Sequence, residues 1–330
     1  MKKQNLLLAF SSVVITLLVC AIAGQFIKTK SVSANKFLVY QAWMLKHQYF
    51  GTYKKGLWQN DELLGWKLKA SNTYRHFKLF NFDVTYHIDK YGHRKTGGDP
   101  SNPKVVFLGG SYTFGNGVED NETFASILQK RNPKHCMINT GANAWGTDQA
   151  LIKLKEQFQQ HEDIELVVYN FIGAHVQRNY LRKPWLKKLW KLGKRQKPYF
   201  KIDENGKLNF AGLATWEKDG ICEDKNLDDM EIEITKLLLV KMRELCDSSE
   251  TKFKVAYLPS NSRVEFKNEI ASTIGSENLW DFRSKIDFEN LKFKLDGHPN
   301  ADGHRAIAEL MDGMMKDVLE KSDLKTAVVN

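Results

Sequence analysis

The chain has 330 residues, 42% of them hydrophobic and 12% aromatic, which is enough apolar material for a substantial core and excludes a disordered polar chain. Its formal net charge of +10 suits a nucleic acid, an anionic membrane surface or an acidic polymer, and charge alone selects none of these. Of the four cysteines, Cys20 lies in an apolar run, and Cys136, Cys222 and Cys246 form an odd set that cannot pair completely.

Met1-Lys2-Lys3 precedes an uncharged apolar run from Leu6 to Gly24, about long enough at helical rise to cross a bilayer core. Residues 1–30 are therefore read as an N-terminal transmembrane helix. A cleaved signal peptide is the rival, because Ala21-Ile22-Ala23 supplies a small-residue cleavage site. Lys2 and Lys3 are answered by Lys28, Lys30 and Lys36 on the other flank, so orientation rests on the short amino-terminal tail. Leu17-Leu18-Val19 lacks the small residue that lipidation of Cys20 would need. The expectation is a single-pass protein of a bacterial inner membrane with its folded part in the periplasm, or a secreted one if the segment is cleaved.

Residues 37–100 form a lead-in rich in aromatics and turn signals, in which the alternation of Phe82-Asp83-Val84-Thr85-Tyr86-His87-Ile88 predicts a strand. Gly97, Gly98, Pro100 and Pro103 mark the join to residues 101–325. There Lys104-Val105-Val106-Phe107-Leu108 reads as a strand ending in Gly109-Gly110, followed by a helix over 122–130. Further strands are expected at Met137-Ile138, over 166–169 and over 253–258, with helices over 147–160, 231–245 and 301–321. Such alternation predicts a parallel sheet covered on both faces. An insertion at 179–228 interrupts it and reads as a lid, with a hairpin turn at Asp203-Glu204-Asn205-Gly206.

Ser111, in Gly109-Gly110-Ser111-Tyr112-Thr113-Phe114-Gly115, falls just past the carboxyl end of the first strand, where open parallel sheets hold their ligand crevices. Alone, such a serine most often caps a helix or makes a turn. Near the other end, Asp296-Gly297-His298-Pro299-Asn300 places a carboxylate and an imidazole just before the last helix. A serine hydroxyl needs a base to take its proton, and that base needs an acceptor to fix its tautomer. Asp296 and His298 supply both. Their bland alternative is a pair of helix-start residues, which becomes the minority reading once Ser, Asp and His all fall at strand-to-helix junctions of one sheet. Asn139-Thr140-Gly141, at the end of the second strand, adds a glycine able to present its N–H to a developing oxyanion.

This arrangement resembles the SGNH/GDSL hydrolase family, whose motif blocks carry Ser, Gly, Asn and His on a flavodoxin-like three-layer α/β/α sandwich. The likeness runs from about Asp61 to the last helix, leaving out the insertion. It includes a lead-in of the kind found before such domains in membrane-anchored bacterial members, Asp61-Glu62-Leu63-Leu64-Gly65-Trp66 and Asp89-Lys90-Tyr91-Gly92-His93-Arg94. The resemblance implies Ser111 as nucleophile, His298 as general base oriented by Asp296, and an oxyanion hole from the N–H groups of Ser111 and Gly141 with Asn170. Three departures stand out. Gly110 replaces the acid before the serine, one residue rather than two separates Asp296 from His298, and Tyr169-Asn170-Phe171-Ile172-Gly173-Ala174-His175 lacks the usual Asn-Asp pair. Counting from the strand start places Ala174 or His175, rather than Asn170, at the expected amide position.

Acyl-ester hydrolysis by these residues requires no metal or organic cofactor. Place alone suggests an acylated carbohydrate of the envelope, carrying an O-acetyl group, as the substrate. The membrane is a partner through the N-terminal helix, and nucleic acid is not expected outside the cytoplasm. Two alternatives remain: an envelope polysaccharide O-acetyltransferase using the same residues, and an inactive glycan-binding or assembly protein on the same fold. The basic, Trp- and Leu-bearing stretch 181–195 either lies on an anionic membrane surface or grips an acidic glycan, or else packs its apolar side chains inward and leaves its lysines in water.

Overall fold

In a computed structural model, which describes residues 56–78, 81–194, 196–215, 227–262 and 264–329, the predicted sheet is present. Apart from Phe77 and Lys78, these residues belong to one unit, Lys54–His76 with Phe80–Asn330. Two strand pairs come first: the antiparallel β1 (Trp58–Asp61) and β2 (Gly65–Leu68), then β3 (Asn72–Lys78) with β4 (Phe82–Ile88). Strand β4 has the bounds read from its alternation, and Val84, Tyr86 and Ile88 are its buried residues.

The main sheet uses β5 (Lys104–Gly109), β6 (Cys136–Asn139), β7 (Ile164–Phe171), β10 (Lys252–Tyr257) and β11 (Leu279–Asp281). All its pairings are parallel and the spatial order is β11-β10-β7-β5-β6. Numbered along the chain, that is the 2-1-3-4-5 order of a flavodoxin-like sheet, whose direction of winding reverses beside β5. Helices lie between and after the strands: α1 (Ser111–Phe114), α2 (Phe124–Arg131), α3 (Thr147–Gln160), α4 (Ala174–Arg178), α6 (Leu227–Ser248), α7 (Lys267–Ile274) and α8 (Ala301–Val329). Every residue of β5 is buried, because one apolar cluster forms on each face of the sheet. Such two-sided burial is why this strand reads as a continuous apolar run rather than an alternation.

The insertion consists of α5 (Lys183–Lys191) and a hairpin of β8 (Lys197–Ile202) and β9 (Leu208–Ala214), turned at the expected place. In α5 the leucines Leu186 and Leu189 are buried with Leu64, Trp66, Ala142 and Trp145, while Lys183, Lys187 and Lys191 are exposed. Its leucines thus pack inward as the blander of the two sequence readings expects, although Trp190 stays exposed. Two ion pairs anchor the insertion, Lys197 to the fully buried Asp148 of α3 and Arg182 to Glu231 of α6.

Between the lead-in and the sheet sits Arg94, itself buried. Its guanidinium pairs with Asp120 and donates to the carbonyls of Phe114, Gly115 and Val118 at 2.8–3.0 Å. The lead-in thereby braces the turn that follows Ser111. Cys136 and Cys246 are buried free thiols, and Cys222 lies outside the described residues. So does the segment 1–30 read as an anchor; among the described residues no helix is long and apolar enough to cross a membrane.

Candidate active site

Strand β5 delivers the chain to Gly110, and Ser111 opens α1 at the carboxyl edge of the sheet beside the point where its winding reverses. Position 110 has no room for a side chain. A Cβ there would stand 3.0 Å from His175 Nε2 and 3.3 Å from Arg178 Nη1. The absence of an acid before the serine is therefore matched by two side chains from α4 that take up its space.

Asp296 and His298 come from the loop that enters α8. Gly297 between them has φ +81°, a left-handed conformation that suits glycine and turns both flanking side chains to one side. The loop is held by Gly297 N–H donating to Phe293 O at 2.7 Å, by Phe293 N–H donating to His298 O at 2.8 Å, and by Tyr112 OH donating to Gly297 O at 2.9 Å. Tyr112, next to the serine, thus fastens the two halves of the site together. Burial holds its phenol well above the ordinary range, so it remains a donor.

The outcome is that His298 Nε2 lies 2.8 Å from Ser111 Oγ, across 187 residues of chain. On the other side of the ring, Nδ1 is hydrogen-bonded to Asp296 Oδ1. With the proton on Nδ1 donated to the carboxylate, the Nε2 lone pair faces the serine hydroxyl, which is the tautomer a general base needs. Asp296 is nearly buried at 6% side-chain exposure and His298 is open at 23%, so the base is reachable from solvent while its acceptor is not.

The two expected oxyanion donors beyond Ser111 are placed otherwise. The N–H of Gly141 already donates to Asn139 Oδ1 at 3.1 Å, and a Cβ on Gly141 would sit 2.6 Å from Thr113 Cβ. This glycine permits a close approach of its loop to α1 rather than offering a free donor. Asn170 is buried within β7, in register with Gly109, and its Nδ2 donates to Leu108 O at 3.2 Å. Its amide serves the sheet.

Ala144, three residues beyond Gly141, has φ +70°, unusual for a residue with a Cβ, and its N–H has no acceptor among the described residues. The neighbours on either side touch groups beside the nucleophile: Asn143 Nδ2 donates to Asn116 Oδ1 at 2.7 Å, and Trp145 O accepts from Arg178 Nη1 at 2.9 Å. Ser111 N–H, at the first position of α1, likewise has no acceptor. Asn116 itself, five residues after the serine, places Nδ2 3.4 Å from His298 Nδ1. Sequence reading passed over Asn116, Ala144 and Arg178; for Ala144 the available signal was its loop, Asn143-Ala144-Trp145-Gly146, lying beside the glycine that was chosen.

At the position counted for the missing amide, Ala174 has no polar side chain and His175 is buried, its Nδ1 2.8 Å from Tyr169 OH. Burial, and then the charge of Arg178, keep His175 far below the ordinary imidazole range and so neutral. Among the described residues no group of three or more metal-ligating side chains occurs.

No family profile matches the chain, and no curated protein matches its sequence at a significant level. Among solved structures it is similar to the psychrotrophic esterase EstA from a Pseudoalteromonas species, a form inhibited by monoethylphosphonate, with 14% identity over 66% of this chain and 100% of that one and a TM-score of 0.43. It is similar also to TesA, with 12% identity over 65% and 99% of the two chains and a TM-score of 0.41. A third is AlinE4, an esterase of the SGNH-hydrolase family, with 13% identity over 67% and 96% and a TM-score of 0.36. In outline, then, the chain is similar to solved structures that include esterases of the SGNH type.

Proposed function

We propose that the protein is a serine ester hydrolase in which Ser111 attacks an acyl carbonyl, His298 takes the serine proton, and Asp296 holds the imidazole and stabilises its protonated form. The observation that carries this reading is the 2.8 Å approach of Ser111 Oγ to His298 Nε2, with Asp296 on the opposite ring nitrogen. As the tetrahedral intermediate forms, its oxyanion is met by the N–H groups of Ser111 and Ala144, both without acceptors among the described residues. Collapse expels the alcohol, which receives the proton from His298. Water, activated by the same imidazole, then releases the acid and restores the serine.

The substrate is taken to be an O-acyl, specifically O-acetyl, ester on a cell-envelope carbohydrate. That rests on the apolar segment 1–30 as the anchor of a periplasmic, single-pass protein of the bacterial inner membrane. The test uses the full chain in detergent with 4-nitrophenyl acetate, with and without an oligosaccharide acceptor. Free acetate in both cases supports hydrolysis; acetylated sugar would move the reading to an O-acetyltransferase working through the same acyl-enzyme. Ser111→Ala should lower turnover by about three orders of magnitude or more and abolish labelling by a fluorophosphonate, with an unchanged melting temperature. Near-normal turnover in that variant defeats the assignment and leaves the inactive-scaffold reading.

A further inference from the structure

Arg178 is a cation beside the nucleophile that the proposed mechanism does not use. Its Nη1 lies 3.3 Å from where a side chain on Gly110 would begin, immediately before Ser111. A guanidinium has five N–H donors. In the structure it makes one hydrogen bond, to Trp145 O, and among the described residues no carboxylate pairs with it. Asp148, the acid nearest in its electrostatics, is itself closed by Lys197.

Leaving a half-buried guanidinium with one neutral acceptor is costly, since the charge has lost water and gained no counter-ion. Burial lowers its pKa to about 10, which still leaves it charged near neutral pH. A second cation adds to the same field. Both Arg178 and Lys188 of α5 sit on the ring of Trp185, at 5.3 and 5.5 Å from its centroid. Lys188 also has no carboxylate partner among the described residues, and burial first, then the charge of Arg178, lowers its pKa. Trp185 adds a buried indole N–H that has no acceptor among the described residues. Two like charges, an aromatic face and an idle donor, gathered around a guanidinium that reaches the residue before the nucleophile, are what an anionic substrate group would complete.

Resting on the esterase reading, we propose that Arg178, supported by Lys188 and Trp185, binds an anionic oxygen group, a carboxylate or a phosphate, carried by the ester substrate close to its scissile bond. The guanidinium fork takes two of the anion's oxygens, which fixes the ester over Ser111. Neutral acyl esters would then be turned over without this anchor.

The experiment compares esters with and without an anionic group: 4-acetoxybenzoate and 4-acetoxyphenyl phosphate against 4-acetoxybenzamide, and the 4-nitrophenyl monoester of succinate against 4-nitrophenyl butyrate. The readout is the ratio of kcat/KM for each anionic ester to its neutral counterpart. In Arg178→Gln at least one of these ratios should fall about tenfold or more, in Arg178→Lys less, and in Lys188→Gln by about two- to fourfold. The arm that responds tells carboxylate from phosphate and the alcohol side from the acyl side. Ratios unchanged in Arg178→Gln, even with all rates reduced, would overturn the proposal and make Arg178 a stabiliser of the oxyanion or of the fold. Should no ester be hydrolysed, the esterase reading fails on its own. Calorimetric titration with 4-hydroxybenzoate and 4-hydroxyphenyl phosphate then still decides, with binding to the parent chain lost in Arg178→Gln and weakened about two- to fourfold in Lys188→Gln expected, and no binding to the parent overturning the site.

Discussion

The two sides of Ser111 are built in different currencies. On one side, the roles proposed for Asp296 and His298 are carried by side chains, whose chemistry most residue types lack. On the other, the donors proposed for the developing oxyanion are backbone N–H groups, which every residue but proline possesses. The first side can be recognised from residue identity and order alone. The second depends on which N–H groups the fold leaves without acceptors, and that is settled only when all partners are in place.

This difference is broken most severely on the side-chain half. His298→Ala should cost about three or more orders of magnitude in kcat and most of the fluorophosphonate labelling, with little change in melting temperature. Labelling that persists at the parental rate would mean Ser111 is activated by something other than this imidazole.

The backbone half needs a change that removes one hydrogen and nothing else. Replacing Ala144 by its α-hydroxy acid converts the amide to an ester, and kcat should fall by about 10²-fold. The same replacement at Gly141 should leave kcat within several-fold, because its N–H is already spent on Asn139. Equal losses at the two positions would return Gly141 to the oxyanion hole.

Gly141 has a separate, steric duty. Gly141→Ala should destabilise the protein by about 1–3 kcal/mol in urea unfolding, since a methyl placed 2.6 Å from Thr113 Cβ forces the loop away from α1. Ala144→Gly, by contrast, relieves a left-handed φ and should leave stability nearly unchanged with activity intact. If Gly141→Ala melts at the parental temperature, the close approach is not what the glycine is there for.

These cases mark how far the sequence could be read. The layered α/β fold, the bounds of β4 and α3, and the meeting of Ser111 with His298 were all legible, because buried strands need apolar runs and a proton relay needs particular side chains. Asn170 was not, because an amide inside a sheet and an amide aimed into a cleft look identical in a string of letters. Gly110 was legible as a departure but not as a consequence; its reason is the presence of His175 and Arg178, contributed by a helix more than sixty residues away. Strand β11 and helix α7 escaped because three and eight residues carry too little periodicity to stand out.

The same limit applies to two imidazoles six residues apart, and it yields the mildest test. His298 faces the serine, whereas His304, in the first turns of α8, is fully buried, stacked on Phe124, and accepts from Phe124 N–H through Nδ1 at 3.3 Å. Burial first, then the charges of Arg94 and His298, lower its pKa to about 3. In the unfolded chain it would titrate near the ordinary value of about 6.5, so between the two values the unfolded state binds the extra proton. Stability is therefore full above about pH 6.5 and declines as pH falls toward 3, by on the order of 1–2 kcal/mol between pH 6.5 and pH 5. His304→Gln keeps an acceptor for Phe124 N–H without a titrating ring, and it should flatten this slope in chemical unfolding measured at pH 7, 6 and 5 while leaving the kcat profile of the His298 site in place. An unaltered slope would mean that other groups set the acid sensitivity and that the two imidazoles differ less than their surroundings imply.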